Sequence, residues 1–289
     1  MQRENKMNFD TDEISSLLKQ ALAEDIGAGD VTSQLAGAEG KLAEALYIMK
    51  ESAIVCGLPL VERLCRLHDE KLDVTLLKHD GDRADEGTHL VRVRGDAASI
   101  LAVERVSLNF LQRLSGIAAL TRRFVDAAAP HAAKIMDTRK TTPTLRSLEK
   151  YAVRTGGGEN HRSGLYDQVL LKDNHLAVSS GETIRELVGA IRRKTKLTIE
   201  VEIDTLEQFE DALRAKPDII LLDNMSVDNM VQAVERLRKE KTTIALEASG
   251  GITLDNVAAI AATGVDRISI GALTHSARAC NISVDIKLL

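Results

Sequence analysis

The chain has 289 residues and a mass of 31.4 kDa, room for one large domain or two smaller ones. With four Phe, three Tyr and no Trp, it is poorly supplied for stacking single-stranded nucleic acid, and a net charge of −5 offers DNA or a membrane surface no general attraction. No apolar run approaches the ~18–20 residues of a membrane span. The opening MQRENKMNFDTDEISS is polar and acidic, without a signal-peptide core. Cys56, Cys65 and Cys280 are an odd set without CxxC spacing, which predicts buried reduced thiols and a cytoplasmic protein.

In chain order, residues 15–25 have the period of an amphipathic helix, 41–57 read as extended, and 58–70 read as a helix with Pro59 in its first turn. Residues 71–98 hold two alternating runs around a Gly/Asp-rich turn, the pattern of a hairpin. Residues 99–129 form a long helical pattern that Gly116 is expected to interrupt. From about residue 134, short apolar strands alternate with helices: 133–138, 167–173, 198–203, 218–224, 243–249 and 266–271. The last four strands begin 20, 25 and 23 residues apart, the signature of a parallel βα sheet. Even repeats without a visible reversal favour a barrel over a doubly wound sheet.

In such a barrel, chemistry gathers where strands end. These strands run into Asp137-Thr138-Arg139-Lys140, Lys172-Asp173-Asn174-His175, Asp223-Asn224, Glu247-Ala248-Ser249-Gly250-Gly251 and Ser269-Ile270-Gly271, and Glu200, Glu202 and Asp204 alternate on one face. Asp204, Ser226 and Thr253 are placed to cap the helices that follow them. Residues 134–172 carry eight cations against four acids, a local +4 within an acidic chain. Of these cations, Lys150 is expected on a solvated helix face. Arg139-Lys140 and His161-Arg162 instead stand in loop-like contexts suited to a bound anion. The glycines at 250, 251 and 271 suit a phosphate loop or plain turns, and Gly156-Gly157-Gly158 suits close approach to a ligand or flexibility. The carboxylates suit Mg²⁺, sugar hydroxyls or a developing positive charge. Neither a nucleotide fingerprint, a Ser/His/Asp set nor a zinc spacing is present.

Beyond this point a resemblance carries the reading. EDIGAGDVTS (24–33), ERVSLNFLQRLSGIA (104–118), DTRKTTPTLRSLEKYAVRTGGGENHRSGLYD (137–167), LLKDNHL (170–176), IEVEID (199–204), ILLDNM (220–225), LEASGGI (246–252) and ISIGALTHS (268–276) resemble the quinolinate phosphoribosyltransferases, in order and over nearly the whole chain. The resemblance implies an α/β protein with an N-terminal α/β sandwich domain, residues 1–115, and an open (β/α) barrel domain, residues 116–275, with the tail 276–289 rejoining the first. It implies transfer of a phosphoribosyl group from phosphoribosyl pyrophosphate to quinolinate, releasing pyrophosphate and CO₂ and giving nicotinate mononucleotide for NAD synthesis, with Mg²⁺. It implies a homodimer with active sites at the interface, free to assemble further; the composition and charge already exclude a nucleic-acid or membrane partner. Carried over by position, Arg105, Thr138, Arg139, His161, Arg162 and Lys172 would meet quinolinate, Arg105 from the partner subunit. Lys140, Glu202, Asp223, Ser249, Gly250, Gly251, Gly271 and Ala272 would meet phosphoribosyl pyrophosphate, with Mg²⁺ near Glu202 and Asp223. Lys140, Lys172, Glu202 and Asp223 would be catalytic. Rival readings are a relative acting on another pyridine or base, and a non-catalytic anion binder. The two cation groups favour a dicarboxylate over the first, and Lys140, Glu202 and Asp223 argue against the second.

Overall fold

The computed structural model describes residues 7–179, 183–240 and 242–289, so the first six residues of the polar N-terminal stretch lie outside the described residues. The chain divides into two compact units: residues up to Ala119 together with Ala277–Leu289, and Leu120–Ser276.

In the first unit, α1 (Asp12–Ile26) starts at Thr11, whose hydroxyl accepts the Ile14 N–H, and it buries Ile14, Leu18 and Leu22 at helical spacing. α2 (Val31–Leu35) is capped by Asp30. β1 (Leu42–Met49) and β2 (Ala53–Ile54) follow, then α3 (Leu58–His68), with Pro59 in its first turn as expected. The hairpin region resolves into β3 (Asp73–Leu76), β4 (Arg83–Ala84) and β5 (His89–Asp96). β3 and β5 pair antiparallel, and β4 instead pairs with β2. The C-terminal strand Ile282–Leu288 pairs with the other edge of β1. On β1, the nearly buried Glu44 is ion-paired to its cross-strand neighbours on both sides, Arg94 at 2.5 Å and Lys287 at 3.0 Å.

The long helix α4 (Ala97–Ala128) is unbroken, so Gly116 does not interrupt it. Its role is close approach: a Cβ there would stand 2.1 Å from the Arg278 carbonyl oxygen. Backbone cannot swing aside as a side chain does. Gly116→Ala should therefore cost about 1–3 kcal/mol, the usual range for overpacking, read as a lower urea midpoint at an unchanged slope.

The second unit alternates β6 (Lys134–Met136), α5 (Arg146–Thr155), β7 (Val169–Leu171), α6 (Asp173–Ala177), α7 (Ile184–Lys194), β8 (Ile199–Ile203), α8 (Leu206–Ala215), β9 (Ile219–Asp223), α9 (Val227–Lys239), β10 (Ala245–Ser249), α10 (Val257–Ala262), β11 (Arg267–Ser269) and α11 (Ala272–His275); the C-terminal strand is then β12. The parallel sheet has the order β6-β11-β10-β9-β8-β7. Strands β7 to β11 are neighbours in sequence and β6 joins beyond β11, which is barrel winding. Among the described residues β6 and β7 do not pair, so the barrel is open, and the outer edge of β6 carries only a single parallel bridge from Met136 to Glu159.

Two expected caps shift. Thr205, not Asp204, caps α8 and accepts the Gln208 N–H. Asn256, not Thr253, precedes α10, and the Thr253 N–H donates to the Asn256 side chain at 2.8 Å. Ser226 caps α9 as read. All three cysteines are free and buried.

Candidate active site

The C-terminal ends of the barrel strands surround a cavity of about 440 Å³. Thr138, Arg139 and Lys140 enter it from the loop after β6, Leu170 and Lys172 from β7, Glu202 from β8, Leu221, Asp223 and Asn224 from β9, Glu247, Ser249, Gly250 and Gly251 from β10, Ser269 from β11, and His161 and Arg162 from the loop after α5. The fold thus brings together eleven of the fourteen residues named above. Gly271 and Ala272 do not line the cavity. Arg105 does not line it either; it is exposed on α4 in the first unit, 4.0 Å from its neighbour Glu104.

The local charges have definite partners. Lys172 is ion-paired to Glu202. No ion pair to Arg139 or Arg162 occurs among the described residues. Burial lowers the Arg162 pKa, and the nearby Arg139 guanidinium lowers it further. Two guanidinium groups that repel each other across a cavity favour a ligand with two negative charges. Lys140 is exposed, and its backbone N–H donates to the Thr138 hydroxyl at 3.0 Å. A Cβ at Gly271 would come within 2.9 Å of Lys140 Cδ and 3.0 Å of His275 Nε2, so the absent side chain at 271 leaves the Lys140 stem its path. At Gly250 the demand is stricter: φ is +86°, and a Cβ would press 2.2 Å from Asn224 Oδ1. That close approach keeps the Gly250–Gly251 backbone against the β9 loop, where Asn224 donates to the Asp223 carboxylate at 2.8 Å.

Beneath the cavity lies a layer of buried charge. Asp137 is fully buried and accepts from Lys150 Nζ at 2.5 Å, Asn160 Nδ2 at 2.6 Å and the His161 N–H at 2.8 Å. Lys150 also donates to the His161 carbonyl at 3.0 Å. This corrects the expectation of a solvated Lys150: it is 4% exposed. Burial raises the Asp137 pKa and lowers that of Lys150, while their mutual attraction opposes both shifts. At the cavity floor, His161 Nε2 stands 3.0 Å from Glu200 and 3.4 Å from Glu247, both fully buried. Gln168 donates to Glu200 at 2.6 Å, and Arg267 pairs with Glu247 at 2.8 Å.

Burial works against charging His161 while Glu200 and Glu247 favour it, and burial raises the Glu200 carboxyl. The geometry at Nδ1 decides between these pulls: it accepts the Arg162 N–H at 2.7 Å and keeps its lone pair, so the ring carries one proton, on Nε2 toward Glu200. The ligand atoms of His161, Glu200 and Glu247 lie within 4.8 Å of one another, close enough to share a cation. Arg267 pairs with Glu247 and Gln168 donates to Glu200, so both carboxylates already have a protein partner besides the ring.

Asp137, Lys150, Glu200 and Glu247 were missed as site residues. The signal available was charge within apolar strands, which singled out the β8 acids but not their depths. For Mg²⁺, Glu202 and Asp223 offer hard oxygen donors on adjacent strands facing one cavity, and Asp223 accepts from Asn224 alone among the described residues. Two carboxylates with substrate oxygens and water suit Mg²⁺, which rarely takes an all-protein shell.

The comparisons agree with this geometry. Residues 30–115 match the model of the quinolinate phosphoribosyl transferase N-terminal domain, and residues 117–285 match that of the C-terminal domain. The chain is 44% identical over 278 residues, 96% of its length and 94% of the relative's, to the probable nicotinate-nucleotide pyrophosphorylase [carboxylating] of Bacillus subtilis. It is 40% identical over 275 residues, 93% of its length and 95% of the relative's, to the nicotinate-nucleotide pyrophosphorylase [carboxylating] of Mycobacterium leprae. The solved nicotinate-nucleotide pyrophosphorylase of Francisella tularensis superposes with a TM-score of 0.91 at 38% identity, covering 98% of each chain. Two family models across both units, with relatives of this similarity over almost the full length, place the chain in the quinolinate phosphoribosyltransferase family.

Proposed function

We propose that the chain transfers the phosphoribosyl group of phosphoribosyl pyrophosphate to the ring nitrogen of quinolinate, releasing pyrophosphate and CO₂ and forming nicotinate mononucleotide. The names of the relatives support this reaction. The observation that carries it is the pairing, in one cavity, of two guanidinium groups that make no ion pair among the described residues and a Lys140–Glu202–Asp223 polar set. Arg139, Arg162 and Lys172, with the Thr138 hydroxyl, take the two carboxylates and so orient the ring. Glu202 and Asp223 take the ribose hydroxyls and steady the positive charge that develops as the C1–O bond to pyrophosphate breaks. Lys140 offsets the charge growing on the departing pyrophosphate, and Ser249, Gly250 and Gly251, with the Gly271-Ala272 turn, face the phosphate. Glu202 and Asp223 would also hold Mg²⁺, which supplies charge neutralisation to the pyrophosphate. Once the ring nitrogen is glycosylated and cationic, the adjacent carboxylate leaves as CO₂. Its bonding electrons stay on the ring carbon, which takes a proton from Lys172 or a nearby water.

Arg105 completes this site from a second copy of the chain, as a homodimer with shared active sites requires. Among the described residues no helix is long and apolar enough to cross a membrane. Three free buried thiols accord with a reducing, cytoplasmic setting.

Release of CO₂ from carboxyl-labelled quinolinate should depend on phosphoribosyl pyrophosphate; label retained in the presence of both substrates would overturn the assignment. Mixing Arg105→Ala chains with Lys172→Ala chains, each inactive alone, should restore partial turnover, because a mixed dimer holds one intact site. Demonstrated exchange of subunits with no recovered turnover would count against the shared site.

A further inference from the structure

We infer that His161 is a positioning residue, not a direct reader of the substrate: Glu200 and Glu247 lock its ring, and the ring in turn anchors the Arg162 backbone whose guanidinium meets one quinolinate carboxylate. The inference rests on the reading that quinolinate occupies this cavity. It departs from the resemblance, which places His161 itself against quinolinate.

Every polar atom of His161 already has a protein partner. The His161 N–H donates to Asp137 at 2.8 Å, and its carbonyl accepts from Lys150 at 3.0 Å. Nε2 faces Glu200 at 3.0 Å and Glu247 at 3.4 Å, and Nδ1 accepts the Arg162 N–H at 2.7 Å. All four polar atoms of the residue are engaged by the protein, and the residue is only 9% exposed. A substrate carboxylate would need a free N–H from the ring, and none remains.

What the ring does reach is the next residue. Its lone pair fixes the Arg162 N–H, while the Arg162 guanidinium reaches back toward the Gln168 carbonyl at 3.4 Å. Gln168 is the residue that also holds Glu200. From the opposite side, Arg267 holds Glu247. A continuous run of contacts, Arg267–Glu247–His161–Arg162, thus crosses the barrel interior from the start of β11 to the cavity. Both carboxylates are fully buried, so loss of one contact is transmitted rather than absorbed. The network therefore sets selectivity for a second carboxylate on the ligand without touching it.

The test is titration calorimetry of quinolinate and, separately, of phosphoribosyl pyrophosphate into the intact protein. Glu200→Gln preserves shape and should weaken quinolinate about tenfold, with phosphoribosyl pyrophosphate unchanged. His161→Ala should do the same, and the double variant should be no weaker than the worse single variant, as expected for residues acting through one another. Multiplying effects, or an unchanged quinolinate affinity in Glu200→Gln, would overturn the inference. Unaltered phosphoribosyl pyrophosphate binding certifies the fold; if His161→Ala loses it, the Glu200→Gln arm decides alone. In the ¹⁵N-histidine spectrum, Nδ1 of His161 should be unprotonated before and after quinolinate is added. A doubly protonated ring, or one whose N–H moves onto quinolinate, would also overturn it. If the parent protein fails to bind quinolinate, the substrate reading falls, while the ring state in the free protein still tests the lock.

Discussion

Replacing Lys140 by Ala lowers kcat by about two to three orders of magnitude, the usual cost of losing one preorganised group at a charge that develops in the transition state, and leaves quinolinate affinity nearly intact. The separation follows from position. Lys140 follows β6 on the exposed side of the cavity, while Arg162 and Lys172 enter from other segments. Its ammonium is free to follow pyrophosphate as the bond lengthens, because Gly271 leaves the stem its path. Gly271→Ala, which removes no charge, should therefore reproduce part of the loss by displacing that stem. Lys140→Arg should recover little, since a planar fork needs more room than a point charge. Steady-state kinetics with both substrates varied, together with direct quinolinate titration, checks the split. Turnover near that of the parent in Lys140→Ala would remove the residue from the leaving-group role.

The strands were legible because each is a short run of buried aliphatic residues bounded by charge, and such runs have few other uses in a polar chain. Caps were less so: Asp204 and Thr205 are both good caps, and only the path of the backbone chooses between them. The local +4 of residues 134–172 was read as a bound anion, and the structure divides it. Lys134 pairs with Glu159 and Lys150 with Asp137, while Arg146 donates to the Ser163 carbonyl and Arg154 to the Asn160 side chain, leaving Arg139, Lys140 and Arg162, with Lys172 beside Glu202, facing the cavity. Glu200 and Glu202 look alike in sequence, being on one face of one strand. Two residues of strand rise, roughly 6.5 Å, separate a carboxylate sunk against His161 from one at the cavity wall. Depth along a barrel axis depends on where the strand sits in the sheet, which no local pattern encodes. Lys150 escaped for a related reason. Its partner is thirteen residues away on another element, and helical spacing alone does not reveal a buried acid waiting at a strand end.

That buried pair carries the largest expected loss of stability. Lys150→Ala removes the cation but leaves Asp137 fully buried, with only the Asn160 amide and the His161 N–H to offset its charge. Breaking a buried pair from one side typically costs 3–5 kcal/mol, which for a unit of this size lowers Tm by roughly 6–20 °C. Differential scanning calorimetry reads the shift directly. Removing both charges isolates the electrostatic cost: Asp137→Asn with Lys150→Met leaves no uncompensated ion and should recover much of the lost Tm. Quinolinate binding should not recover with it, because Lys150 also holds the His161 carbonyl and Asp137 holds its N–H. The same two residues thus tie the thermal stability of the barrel to the placement of His161 and Arg162. A double variant as unstable as Lys150→Ala would mean that the cost came from packing. A stable double variant that binds quinolinate like the parent would mean that the pair supports the fold without shaping the site.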